Sequence, residues 1–129
     1  MFYLSDSEWE VMNVLWCSGE MTLAAITSRL NDCGFSWVSN TVHTFLTRLE
    51  RKGAVEINKG ISPYGYRALK KREYYEREEM NYVKRKMFSG SALRMISSLL
   101  GMDRLSAQEL DALKEFVENK TNKDGKSEH

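Results

Sequence analysis

Residues 37–53 read WVSNTVHTFLTRLERKG. Val42, Phe45, Leu46 and Leu49 fall at i, i+3, i+4 and i+7, the spacing of one inward stripe on an α-helix. Ser39 is placed to cap that helix and Gly53 to close it. The outward positions are Asn40, Thr41, His43, Thr44, Thr47, Arg48 and Arg51, all hydrogen-bonding, with no carboxylate before Glu50. A helix built this way buries one face and offers donors and positive charge on the other. Arg48 and Arg51 can pair with phosphate or make a bidentate contact to guanine, and the threonines can reach phosphates or thymine methyls. A neutral His43 can still make one hydrogen bond at pH 7. The competing reading is an ordinary solvated face in which the arginines pair with Glu50.

Working outward from this helix gives the rest of the fold. On its C-terminal side AVEIN (54–58) alternates apolar and polar, GISPYG (60–65) makes a turn, and Tyr64 to Leu69 returns as a second strand. Lys59 and Arg67 are the hairpin cations placed to touch a nucleic-acid backbone, and Tyr64 could do the same or pack across the strands. On the N-terminal side, Ser5 and Glu8 form a capping box before an apolar helix that ends at Ser18-Gly19. Thr22 caps a second helix with Leu23, Ile26 and Leu30 on one face, stopped by Asn31 and Gly34. Three helices and a hairpin are the order of a winged helix-turn-helix, expected over residues 1–71. The fold class is thus mainly α (α+β), a winged helix followed by a helical region.

That second region is expected over 72–120, with 121–129 as a disordered polar tail. Its apolar residues recur at helical spacing: Met80, Val83 and Met87; then Ile96, Leu99 and Leu100; then Leu110, Leu113, Phe116 and Val117 after a Ser106/Glu109 capping box. Short amphipathic helices appended to a closed domain leave such stripes uncovered. A second copy of the chain is the simplest cover, so these ten residues are assigned to a homodimer interface.

Composition bounds the rest. A chain of 129 residues suits one domain with an appendage and excludes a large multidomain enzyme. Its net charge is only +1, which by itself supplies no argument for a polyanionic partner. Divided by segment, the charge is uneven. Residues 1–35 hold five acids against one Arg, net −4, while residues 36–72 hold eight bases against Glu50 and Glu56, net +6. The remainder, with ten bases and eleven acids, is −1. The positive charge therefore lies in the third helix and hairpin, the elements a winged helix presents to duplex DNA. Cys17 and Cys33 lack C-x-x-C spacing and read as reduced packing thiols, not as a metal or redox site. Trp9, Trp16 and Trp37 read as core. No nucleophile-base order, phosphate-binding Gly loop or paired carboxylates appear, so neither catalysis, a cofactor nor a metal is expected. The absence of a signal sequence and of a long apolar run predicts a soluble, cytoplasmic chain that does not enter a membrane.

LSDSEWEVMNVLW (4–16), the motif W-x-S-x-T-V-H-T-F-L-T-R-L-x-x-K-G (37–53), Tyr64 and Tyr66, and S-x-x-E-L-x-x-L (106–113) together resemble the penicillinase-repressor family of BlaI/MecI type. The resemblance runs from about Leu4 to Asn119. It implies a homodimeric repressor that binds a palindromic operator, with contacts from Asn40, Thr41, His43, Thr44, Thr47 and Arg48. His43 departs from the basic residue often found there. Copper-responsive relatives carry C-terminal C-x-C pairs, which this chain lacks. Relatives controlled by a sensor protease are cut at an Asn-Phe bond, where the aligned pair here is Ser98-Leu99. Two other readings stay open: a winged helix sensing a small ligand at its dimer interface, and a winged-helix module that docks a protein. An apolar outer face on the third helix would mark the latter, and the residues there are threonines and arginines instead.

Overall fold

The computed structural model of the chain describes residues 3–102 and 105–127. Its elements are α1 (Asp6–Ser18), β1 (Met21–Thr22), α2 (Leu23–Asp32), α3 (Ser39–Arg51), β2 (Val55–Asn58), β3 (Gly65–Ala68), α4 (Arg72–Phe88), α5 (Ala92–Met102) and α6 (Ala107–Ser127). This is the winged-helix order. It divides into two compact units, Met1–Tyr82 and Val83–His129.

The first unit is built on α1. Ser5 accepts from the Glu8 amide at 3.2 Å while the Glu8 carboxylate accepts from the Ser5 amide at 2.8 Å, the reciprocal box that the sequence predicts. Val11, Met12, Val14 and Leu15 of α1 meet Ile26 and Leu30 of α2 and Val42, Leu46 and Leu49 of α3 in one buried core. Thr22 caps α2 by accepting from the Ala25 amide at 3.2 Å. The start of α3 differs from expectation. Its cap is Val38, which offers no side-chain oxygen, and Ser39 is already helical. Trp37 fixes the chain there instead, stacking on Phe35 at 4.7 Å and edge-on to Phe45 at 5.2 Å.

Where the sequence gives a two-stranded hairpin, the sheet has three strands in the order β1-β3-β2. Met21 pairs with Tyr66 and Thr22 with Gly65, a bridge too short to show any periodicity. The wing register sets Glu56 opposite Arg67 and Ile57 opposite Tyr66. A Cβ at Gly65 would come within 2.9 Å of the exposed Glu20 carboxylate, which would have to swing aside.

The first unit continues past residue 71, where the sequence reading ends the winged helix, because the start of α4 joins the core. Tyr75 is buried, its ring 5.9 Å from that of Trp16, and Trp9 Nε1 donates to Glu79 at 2.7 Å. Trp16 Nε1 donates to the Lys70 carbonyl at 2.8 Å. All three tryptophans pack half-buried against the core. The cysteines do not: Cys17 in the last turn of α1 and Cys33 at the C-cap of α2 are both exposed.

In the second unit, Ser106 and Glu109 form the expected capping box of α6, both bonds 3.1 Å. That helix runs through Ser127, across residues 121–127 that were expected to be disordered; residues 128–129 of that tail lie outside the described residues. No proline interrupts the segment, and helix-forming Lys residues recur along it. No helix among the described residues is long and apolar enough to cross a membrane.

Candidate nucleic-acid interface

α3 separates its two faces as its stripe requires. Val42, Leu46 and Leu49 are fully buried and Phe45 is half-buried, so the opposite face is fixed by the core. On that face Asn40, His43, Thr44, Arg48 and Arg51 are exposed, and Thr41 and Thr47 are half-buried at its margin. The structure therefore brings together all seven helix positions singled out from sequence.

Their chemistry is more constrained than residue type alone conveys. The Thr44 hydroxyl donates to the Asn40 carbonyl and the Thr47 hydroxyl to the His43 carbonyl, each at 3.0 Å. Both protons are used within the helix, so these two side chains present methyl groups and acceptor lone pairs outward. Arg48 and Arg51 are different. Neither forms an ion pair with Glu50 or any other acid among the described residues. Their guanidinium groups are available to an external acceptor.

The hairpin cations divide. Lys59 is exposed in the turn after β2, where Gly60 donates to Asn58 Oδ1 at 3.0 Å. Arg67 is engaged within the wing: its Nε donates to Glu56 Oε1 at 2.8 Å, and a terminal nitrogen lies 2.5 Å from the same oxygen. This cross-strand pair follows from the register and neutralises a residue expected to meet DNA.

Lys52 is the functional-site residue that its place in the motif alone does not explain. It caps the C-terminal end of α3, and its Nζ donates to the Tyr3 carbonyl at 2.7 Å and to Glu8 at 2.5 Å. Burial pushes the Glu8 carboxyl up, but Lys52 and the Ser5 hydrogen bonds outweigh it and hold the group below the usual carboxylate range. The pair ties the end of α3 to the first turn of α1. Behind the wing, burial raises the Tyr66 hydroxyl, helped by the Glu50 carboxylate and Tyr64, so it remains a protonated donor at neutral pH.

The residues assigned to dimerisation lie on α4 to α6. Within a single chain Met80, Met87, Ile96, Leu99, Leu100, Leu110, Phe116 and Val117 are exposed, with Phe116 at 69%, while Val83 and Leu113 are half-buried. Nothing in α5 is buried.

A model of the penicillinase repressor family matches residues 4–119. The penicillinase repressor of Bacillus licheniformis is 27% identical over 121 residues, covering 93% of each chain. The methicillin resistance regulatory protein MecI of Staphylococcus aureus strain N315 is 23% identical over 120 residues, covering 92% of this chain and 96% of its own. Among solved structures, the DNA-binding domain of the repressor BlaI superposes with a TM-score of 0.50 at 28% identity, covering 58% of this chain and 94% of that one. A MarR family protein from Bacillus stearothermophilus shares the fold, with a TM-score of 0.50 at 15% identity over 95% of this chain and 76% of that one.

Proposed function

The chain belongs to the penicillinase repressor family, and from that premise we propose that it is a homodimeric, sequence-specific transcriptional repressor of a palindromic DNA operator. The observation that carries this reading is the exposed face of α3, where Arg48 and Arg51 stand without acidic partners beside Asn40, His43 and the threonines. Each α3 enters a major groove. Arg48 and Arg51 pair with phosphate or a guanine edge, Asn40 and His43 reach base edges, and the Thr44 and Thr47 methyls pack on thymine. Lys59 at the wing turn takes the backbone. Residues 1–71 carry the DNA contacts and residues 72–120 the dimer.

The apolar faces of α5 and α6 support the dimer, because a soluble single chain seldom leaves contiguous surfaces such as Leu93, Ile96, Leu99 and Leu100 in water. Two copies put the α3 helices about 34 Å apart, or a multiple of it, in successive grooves. A sensor protease acting at Ser98-Leu99 has to open α5 first, because that bond lies inside the helix.

Binding-site selection from a random duplex library, followed by anisotropy titration across salt concentrations, tests the proposal. The expected result is an inverted repeat bound with an affinity that falls steeply as salt rises. No enriched sequence, or binding indifferent to salt, refutes it. Sedimentation at micromolar concentration should give a dimer; a monomer removes the second unit from the assignment.

A further inference from the structure

The two ends of α3 are held by different means. At its start the Phe35, Trp37 and Phe45 rings pack on one another. At its end the anchor is a single ammonium group. The Lys52 amide closes the last turn on the Arg48 carbonyl at 3.0 Å, and the Ala54 amide follows on that of Leu49 at 2.9 Å. From there the Lys52 side chain reaches the Tyr3 carbonyl, 49 residues away, and Glu8 Oε1, 44 residues away. Both acceptors are themselves fixed. Glu8 is locked in its capping box with Ser5, and the Tyr3 ring stands edge-on to that of Tyr82 in α4 at 4.8 Å. Lys52 thus joins the last turn of α3 to the chain entering α1, and through the Tyr3 ring to α4, all within the first unit.

As a source of stability this is a poor arrangement. Glu8 is buried, and its second oxygen has no hydrogen-bond partner among the described residues. Two apolar side chains of similar volume would hold the helix end as well or better. What the ion pair adds is direction. The contacts of Val42, Leu46 and Leu49 with the core are non-directional, whereas hydrogen bonds from one nitrogen to two fixed oxygens admit a narrow range of positions. Arg48 and Arg51 lie in the turn that Lys52 closes, the first four residues before it and the second adjacent. Side chains stand about 6 Å from a helix axis, so a roll of about 10° carries them about 1 Å. A recognition constellation tolerates about 0.5 Å.

We propose that Lys52 is a positioning residue for operator selectivity: anchored on Glu8 and the Tyr3 carbonyl, it fixes the last turn of α3 so that Arg48 and Arg51 meet base edges, and does not itself touch DNA. This role rests on the DNA-binding reading and deepens it. Its consequence is selective. Attraction to phosphates is independent of sequence and survives a displaced guanidinium, whereas a bidentate contact to a base edge does not. Loosening the anchor should therefore weaken the operator and spare an arbitrary duplex. A Lys52 that instead paired with phosphate would have to leave Glu8, and its removal would weaken every duplex alike.

The test compares the full-length wild type with Lys52→Met and with Glu8→Gln/Lys52→Met. The double variant loses one acid and one base, so its net charge is that of the wild type, and glutamine still serves a capping box. It keeps the comparison open where the single variant fails to fold. Each protein is titrated by anisotropy, at a temperature where circular dichroism shows it folded, against the operator from the binding-site selection and against a scrambled duplex, across salt concentrations. Both variants should bind the operator about tenfold more weakly, the scale of one lost base-edge contact. Binding to the scrambled duplex should stay within about twofold, with an unchanged salt slope. A purely structural pair predicts otherwise: with the proteins folded, the variants bind the operator like the wild type, and that result overturns the proposal. An equal loss on both duplexes, or a salt slope lowered by about one per protomer, overturns it as well, because Lys52 is then a phosphate contact. A wild type that selects no DNA refutes the proposed function and this role with it. A wild type that selects an operator which the double variant binds equally well overturns the role alone.

Discussion

Replacing Lys52 with Met keeps most of the aliphatic stem and removes the charge that holds Glu8. Glu8 is 1% exposed, and its Oε2 already has no partner among the described residues, whereas the Lys52 side chain is 35% exposed. Removing one partner of a buried ion pair costs about 3 to 5 kcal/mol. The partial exposure of Lys52 means that part of this attraction is already screened, which brings the expected loss at pH 7 to about 2 kcal/mol. In urea unfolding this is a midpoint lowered by about 1 M. The pH dependence is the sharper test. In the wild type the Glu8 pKa lies below its unfolded value, near 4.5, so the stability contributed by the pair is complete above that pH and is lost as pH falls through the folded pKa. Without Lys52 only the Ser5 hydrogen bonds oppose burial, so the folded pKa rises from its wild-type position. The folded variant then binds more protons than the folded wild type, so its Glu8 loses less stability as pH falls. The gap between wild type and Lys52→Met should therefore narrow steadily from pH 7 to pH 4. The double variant Glu8→Gln/Lys52→Met should lose this pH dependence and recover part of the stability. A loss below about 0.5 kcal/mol, or a gap constant over that pH range, would refute the reasoning.

Arg48→Ala should weaken operator binding by about 1 to 3 kcal/mol and flatten its salt dependence, measured by anisotropy at several salt concentrations. An unchanged operator affinity excludes Arg48 from the interface. Glu56→Gln, which releases Arg67 from its cross-strand partner, should tighten DNA binding several-fold and steepen the salt slope by about one per protomer. Leu99→Asp places a carboxylate on the exposed apolar face of α5 and should shift the sedimenting species from dimer to monomer, with the far-ultraviolet circular dichroism of the winged helix preserved.

The parts of the fold legible in the sequence are those encoded locally. Ser5 with Glu8 and Ser106 with Glu109 are capping boxes within one turn, and both form. The α3 stripe needs only its own periodicity to fix which side faces outward. What escapes a local reading depends on partners distant in the chain. β1 exists because Met21 and Thr22 meet Tyr66 and Gly65, and two residues carry no alternation. Glu8 reads as a first-turn cap, yet its second partner lies 44 residues away. Val38 replaces Ser39 as the cap because the Trp37 ring stack, and not a hydroxyl, sets where α3 begins. The cysteines read as packing thiols because apolar neighbours in sequence say nothing about which side of a helix end faces solvent.

The same distinction changes the meaning of the +6 segment. Of its eight bases, Lys52 is committed to Glu8 and Arg67 to Glu56. Arg72 donates to Asn13 and leans over the Trp16 ring, and Lys70 lies 4.1 Å from the centre of the Tyr74 ring. These four act within the fold. Of the other four, Lys71 is exposed just before α4, and it, Arg48 and Arg51 on α3 and Lys59 at the wing turn have no acidic partner among the described residues. Fewer cations are free for a duplex than the segment total implies, and on the proposed function three of them, Arg48, Arg51 and Lys59, lie on the two elements that reach it. An interface so sparing in charge draws less on the sequence-independent phosphate attraction that dominates non-specific binding. On the proposed function its affinity comes in larger part from base-edge contacts along α3, which is the balance a repressor needs to find one operator among many competing sites.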